Sequence, residues 1–166
     1  AIIIGASTGI GRATAIELAG TYHNIAITSF RHAEELMEVR DQLISMGCNC
    51  YARSGDSGDI NFMKSFISET AGQFGNRIDL LVNNAGISYV GLMTDMTADE
   101  FDRTMKSNIY TVWNSCHEVV PYMVHNHSGR IINISSVWGN VGASCEAAYS
   151  ASKGAVNSFS KALGKE

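Results

Sequence analysis

No apolar run in these 166 residues approaches the ~18 needed to cross a bilayer. Nor does a basic stretch followed by an apolar segment and a cleavage site mark a secretory address. Charge is sparse: charged residues make up 17% of the chain, and the net charge of −4 is unclustered, which argues against a nucleic-acid surface. The four cysteines, Cys48, Cys50, Cys116 and Cys145, offer neither C-x-x-C spacing nor a disulfide framework, so they read as structural thiols of a reducing cytosol. The five histidines form no metal set, and no metal is expected. With 45% hydrophobic residues, residues 1–166 form one domain with one sizeable core. These absences leave a cytoplasmic protein that works on small molecules, with no membrane and no nucleic-acid partner.

What is present alternates. Short β-rich runs are expected at Ile2–Ile4, Ile25–Thr28, Cys48–Ala52, Leu80–Asn83 and Arg130–Ile134. Between them lie helical stretches at Gly11–Gly20, Ala33–Met46, Asn61–Phe74 and Ala98–His125, and a last one runs from near Ala148. The near-continuous aliphatic runs suit strands buried on both faces. Strand–helix alternation with short connections predicts an α/β domain, a doubly wound parallel sheet of the Rossmann kind in three α/β/α layers. The chain opens at Ala1 without an initiator Met and stops at Leu163-Gly164-Lys165-Glu166, so C-terminal strands and a substrate-lid segment are expected to be missing.

Gly5-Ala6-Ser7-Thr8-Gly9-Ile10-Gly11 follows the first strand and opens a helix. Such a turn uses glycines to reach positive φ and to let backbone approach a pyrophosphate, while the helix N-terminus offers N–H groups to the anion. A plain structural turn is the alternative. About 20 residues past the glycines, an NAD site carries an acid for the ribose 2′-hydroxyl. Here the strand end reads Thr28-Ser29-Phe30-Arg31 with no Asp or Glu. Ser29 and Arg31 can instead bond a 2′-phosphate, which favours NADPH over NADH. Alternatively, Arg31 is a solvated residue opening the next helix.

The turn resembles the T-G-x-x-x-G-I-G motif of short-chain dehydrogenases/reductases, with Ile4 where that family has Thr. Asn83-Asn84-Ala85-Gly86 is similar to the family's N-N-A-G. Ser136 precedes Tyr149 by 13 residues, and Tyr149 and Lys153 are four apart on a helix face, as in the family's serine and Y-x-x-x-K pattern. Singly, a tyrosine and a lysine at this spacing are an ordinary surface pair. The resemblance implies a catalytic set of Asn108, Ser136, Tyr149 and Lys153. It also implies cofactor contacts from Gly5, Ser7, Thr8, Gly9, Ile10, Gly11, Asp56 (otherwise a helix-opening turn residue), Asn83, Ala85, Gly86, Tyr149 and Lys153. In that reading Tyr149 is the general acid toward a carbonyl, Ser136 binds the substrate oxygen, and Lys153 favours the phenolate and bonds the nicotinamide ribose. Asn108 holds a water on a proton relay.

Residues 137–146 stand between the serine and the tyrosine and should wall the substrate site, with Trp138, Val141 and Glu146 as candidate contacts besides Ser136. Tyr89 and Met93, from the loop after N-N-A-G, are expected to complete the pocket; loop packing is the alternative for each. The region resembles bacterial 3-oxoacyl-[acyl-carrier-protein] reductases of fatty acid synthesis. Its W-G-x-V-G-A-S-C-E run is similar to reductases of a ketone modification on elongation factor P, where Glu146 would suit a substrate amine. The family implies a homodimer or homotetramer through the helices carrying Asn108 and Tyr149. A catalytically idle nucleotide-binding protein of the same fold is the competing class, against which the complete four-residue set speaks.

Overall fold

The computed structural model describes residues 1–166. Strands β1 (Ile2–Ile4), β2 (Asn24–Ser29), β3 (Asn49–Ser54), β4 (Leu80–Asn83) and β5 (Arg130–Asn133) form one sheet in the order β3-β2-β1-β4-β5. Every pairing is parallel. Helices α1 (Gly9–Leu18), α2 (Ala33–Ser45), α3 (Ile60–Gln73), α4 (Ala98–Met105), α5 (Thr111–His125), α6 (Trp138–Val141) and α7 (Ala147–Leu163) fill the connections. The doubly wound Rossmann arrangement expected from the alternation is present.

The strand period of two sorts the first aliphatic run between two cores. Ile2 and Ile4 face a cluster with Phe66 and Ile67 of α3, Val112 and Val119 of α5, and Val156 of α7. Ile3 faces the other side, against Ala15 of α1 and Leu36, Val39 and Leu43 of α2. All three isoleucines are buried, and each contributes roughly 1.5–3 kcal/mol by leaving water. At the edge, β5 is less covered, and Ile132 is 42% exposed.

One expectation changes. The stretch Ala98–His125 is not one α-helix: α4 and α5 are joined by a π turn at Lys106–Tyr110. There the Thr111 N–H donates to the Lys106 carbonyl, five residues back. Helix α4 begins with a capping box, in which Thr97 Oγ1 accepts from Glu100 N while the Glu100 carboxylate accepts from Thr97 N. The short α6 lies within the connection expected to be loop.

Ile4 pairs in register with Thr28, whose main-chain oxygen accepts from Gly5 N and Ala6 N. The Thr28 hydroxyl, by contrast, is fully buried with no hydrogen-bond partner. An unmet buried hydroxyl costs about 1–3 kcal/mol. Thr28→Val keeps the shape and removes the hydroxyl, so it should raise the unfolding free energy by about 1 kcal/mol, read from urea titrations.

Candidate active site

Strand order reverses between β1 and β4, and the crevice beyond their carboxyl ends is where an open α/β sheet receives a ligand. The Ile4 carbonyl accepts from both Asn84 N and Ala85 N, and Asn84 Nδ2 donates to the Gly5 carbonyl at 2.8 Å. This clamp brings the glycine turn against N-N-A-G. At Gly5, where φ is +83°, a Cβ would stand 2.7 Å from the Ala85 backbone; at Gly11 it would stand 2.0 Å from the Gly5 oxygen. Gly9 has open space where its Cβ would be. Thr8 caps α1 with no side-chain bond, leaving the helix's first N–H groups for an anion. The turn therefore fits a pyrophosphate.

A cavity of about 330 Å³ opens from this turn. Its lining includes Gly5, Ser7, Thr8, Ala85 and Gly86 from the expected cofactor set, and Ser29 and Arg31 from the end of β2. It also includes His32 and Arg103, which the sequence did not single out. Ser29 is buried: its hydroxyl donates to the Arg31 carbonyl at 2.5 Å and shares a 2.9 Å bond with Ser7 Oγ. It shapes the turn that presents Arg31. Asp56 lies in the adjoining hollow, where its carboxylate accepts from Lys106 Nζ and Gly58 N. Gly9, Gly11 and Ile10 belong to the turn and the start of α1, with Ile10 exposed.

Behind the cleft lies a buried polar frame. Asn83 Nδ2 donates to Asn133 Oδ1 at 2.9 Å, and Asn83 Oδ1 accepts from Ser115 Oγ at 2.7 Å. Asn133 passes the connection on to Ser160 of α7. Asn108, fully buried in the π turn, accepts from Ile87 N and donates to Ile87 O and Ser152 Oγ. Ser152 in turn donates to the Tyr149 carbonyl at 2.7 Å. Both amide hydrogens of Asn108 are thus committed to fixing the loop after β4 against the helix of Tyr149. Asn133, Ser115, Ser160 and Ser152 had no signal in the sequence beyond being polar.

Tyr149 and Lys153 share a face of α7, with Lys153 Nζ 5.7 Å from the centre of the tyrosine ring. Lys153 is buried; its ammonium donates to the Ile134 carbonyl at 2.8 Å, and Ser135 Oγ donates to the Lys153 carbonyl. These bonds hold the end of β5, and Ser136 with it, against α7. A Cβ on Gly86 would meet both Asn108 Oδ1 at 3.2 Å and Lys153 Nζ at 3.4 Å, so the cleft adjoins the side chains expected to form a catalytic set. Helix α6 leans on α7 so closely that a Cβ on Gly139 would stand 2.6 Å from the Lys153 backbone. Trp138 and Val141 are exposed on α6. Glu146 is half-buried and accepts from Ser88 Oγ at 2.8 Å, while Gly91 N donates to the Cys145 carbonyl. The loop after N-N-A-G is thereby tied to the segment before Tyr149.

A crevice of this construction is that of a dinucleotide-binding Rossmann fold. More narrowly, the chain belongs to the short-chain dehydrogenase family of oxidoreductases, whose model matches residues 1–166. It is 36% identical over its whole length to a 3-oxoacyl-[acyl-carrier-protein] reductase of Staphylococcus aureus, covering 67% of that protein. Over 165 residues it is 35% identical to a 3-ketodihydrosphingosine reductase of Bacteroides thetaiotaomicron, covering 99% of this chain and 57% of that one. The crystal structure of an NAD+-bound xylitol dehydrogenase superposes with a TM-score of 0.92 at 28% identity, over 98% of this chain and 62% of the other. The chain thus spans between 57% and 67% of the length of these three relatives.

Burial lowers the pKa of Lys153 below the ordinary lysine value. Between the two values the unfolded chain holds the extra proton, so stability rises with pH there; below them the buried ammonium's cost is present in full. Lys153→Met should therefore melt higher than the parent protein at pH 7, and the gain should shrink as pH climbs toward the ordinary lysine range. Thermal scans of both proteins across that range check it.

Proposed function

We propose that the chain is the cofactor-binding and catalytic part of a reductase that moves hydride from NADPH to a ketone of the 3-oxoacyl thioester kind. The observation that carries this reading is the adjacency of the glycine-lined cleft to Lys153 across Gly86, with Tyr149 on the same helix face. Bound in the cleft, the nicotinamide supplies the hydride. Tyr149 gives its phenolic proton to the carbonyl oxygen as carbon receives hydride, so a C=O becomes CH–OH. Ser136 donates a hydrogen bond to that same oxygen, where negative charge grows. Lys153 holds a positive charge beside the tyrosine, and Asn108 keeps the loop after β4 in register with both.

NADPH is favoured by the cleft lining, which contains Arg31 and no carboxylate. Apolar surface on α5 and α7, including Trp113, Phe159 and Leu163 around one hollow, supports assembly as a homodimer or homotetramer through those helices. Four free thiols and the lack of any helix long and apolar enough to cross a membrane fit a cytoplasmic setting. Glu146, which has no cationic partner within 4.0 Å, favours as a second reading a ketone that carries an amine, as on modified elongation factor P.

Oxidation of NADPH by the intact protein with acetoacetyl thioesters is the test. Tyr149→Phe should lower kcat by ~10²–10⁴-fold while leaving NADPH affinity within about twofold. Absence of turnover with NADPH still bound moves the substrate to the second reading. Failure to bind either nicotinamide cofactor overturns the enzyme reading.

A further inference from the structure

Of the chain's seven arginines, four pair with carboxylates: Arg12 with Glu38, Arg40 with Asp41, Arg53 with Glu69 and Arg77 with Asp79. Arg31, Arg103 and Arg130 make no ion pair and no side-chain hydrogen bond. Two of these three, Arg31 and Arg103, line one cavity, the cofactor cleft, whose lining contains no acidic residue; His32, also in the lining, is bonded to Glu35. This concentration of positive charge occurs in a chain of net charge −4. Glu100, one turn before Arg103, accepts from Thr97 N and Oγ1 on one carboxylate oxygen and attracts Arg103 without forming an ion pair with it. Asp56 and Asp102 share the adjoining hollow with Arg103, but no carboxylate enters the cleft itself, where the two guanidinium groups repel each other and each is a forked donor suited to phosphate oxygens. The arrangement is complementary to an anion.

The position of the pair identifies the anion. The pyrophosphate belongs to the glycine turn and the start of α1. The end of β2, where Arg31 stands, is the place of the adenosine ribose. Arg103 enters the same cavity from α4, an element that follows β4 in the chain, and it also lines the adjoining hollow beyond Phe30. Resting on the NADPH reading above, we propose that Arg103 is a second determinant of cofactor choice, acting with Arg31 as a clamp from two elements on the 2′-phosphate. The α4 residue recognises the phosphate and not the adenine ring.

The experiment measures dissociation constants for NADPH, NADH, 2′,5′-ADP and 5′-AMP by calorimetry on the intact protein, so turnover is not needed. Arg103→Met should weaken NADPH and 2′,5′-ADP by about 10-fold, as loss of a charge-assisted bond to phosphate requires, and leave NADH and 5′-AMP within about twofold. Arg31→Met should do the same. Arg103→Lys should recover part of the loss by restoring charge without the fork. Arg130→Met, which removes the unpaired arginine outside the cleft, should change none of the four, and circular dichroism should report an unaltered fold for every variant. Equal weakening of NADPH and NADH by Arg103→Met would overturn the proposal in favour of contact with the adenine. It is also overturned if Arg31→Met abolishes NADPH preference while Arg103→Met leaves it intact. A wild-type protein that binds NADH as tightly as NADPH would instead overturn the cofactor reading on which the proposal rests.

Discussion

The Ile4 carbonyl accepts two N–H groups from the far side of the crevice, those of Asn84 and Ala85, and Asn84 returns a side-chain bond to the Gly5 carbonyl. Everything at the site is registered to this junction. It ends β1 and β4 at one level and forces the glycine turn against N-N-A-G with no room for a Cβ at Gly5 or Gly11. It thereby sets where the start of α1 points. On the other side of β4, Asn83 carries the alignment through Asn133 to Ser160, and so to the helix of Tyr149 and Lys153. The glycine turn and Tyr149, 144 residues apart in sequence from Gly5 to Tyr149, are held in one frame by main-chain bonds and the side chains of Asn84, Asn83, Asn133 and Ser160.

Holding the frame has a cost, concentrated at Lys153. Its ammonium is withdrawn from water and compensated inside the chain by one carbonyl, that of Ile134. A hydrocarbon there would pack without that penalty. Retaining a desolvated charge is intelligible when the charge acts on a neighbour, and the nearest aromatic face is that of Tyr149. Stability and chemistry pull in opposite directions at this one side chain.

Much of this was legible in the chain because the informative residues are contiguous. Ile2-Ile3-Ile4 before a glycine turn, four residues of N-N-A-G, and a tyrosine and lysine one helical turn apart are local patterns, and each lies on the element expected for it. The rest depends on pairings the chain makes only when folded. The π turn has no glycine or proline at its position to announce it, the stretch's Pro121 lying further on inside α5, and widening the helix over Lys106–Tyr110 leaves the apolar spacing on either side intact. Ser152 acquires its role through Asn108, 44 residues away, and Asn133 through Asn83, 50 away. Arg103 reads as a solvated helix residue until α4 is set beside β2's end. Ser29 lines the cleft as expected of a cofactor contact, but its bonds to Ser7 and the Arg31 carbonyl are likewise pairings of the folded chain.

The contact between Gly139 and the backbone of Lys153 divides labour between neighbouring residues. Because α6 is seated on α7 through its glycine, the spacing from Ser136 to Tyr149 is set by backbone against backbone. Trp138 and Val141, on the outward side of the same short helix, carry none of that load. Their identities can change while the spacing of Ser136 and Tyr149 stays as it is. A backbone gauge and an exchangeable outer face are thus built into four consecutive residues, so that the face can vary without disturbing the spacing.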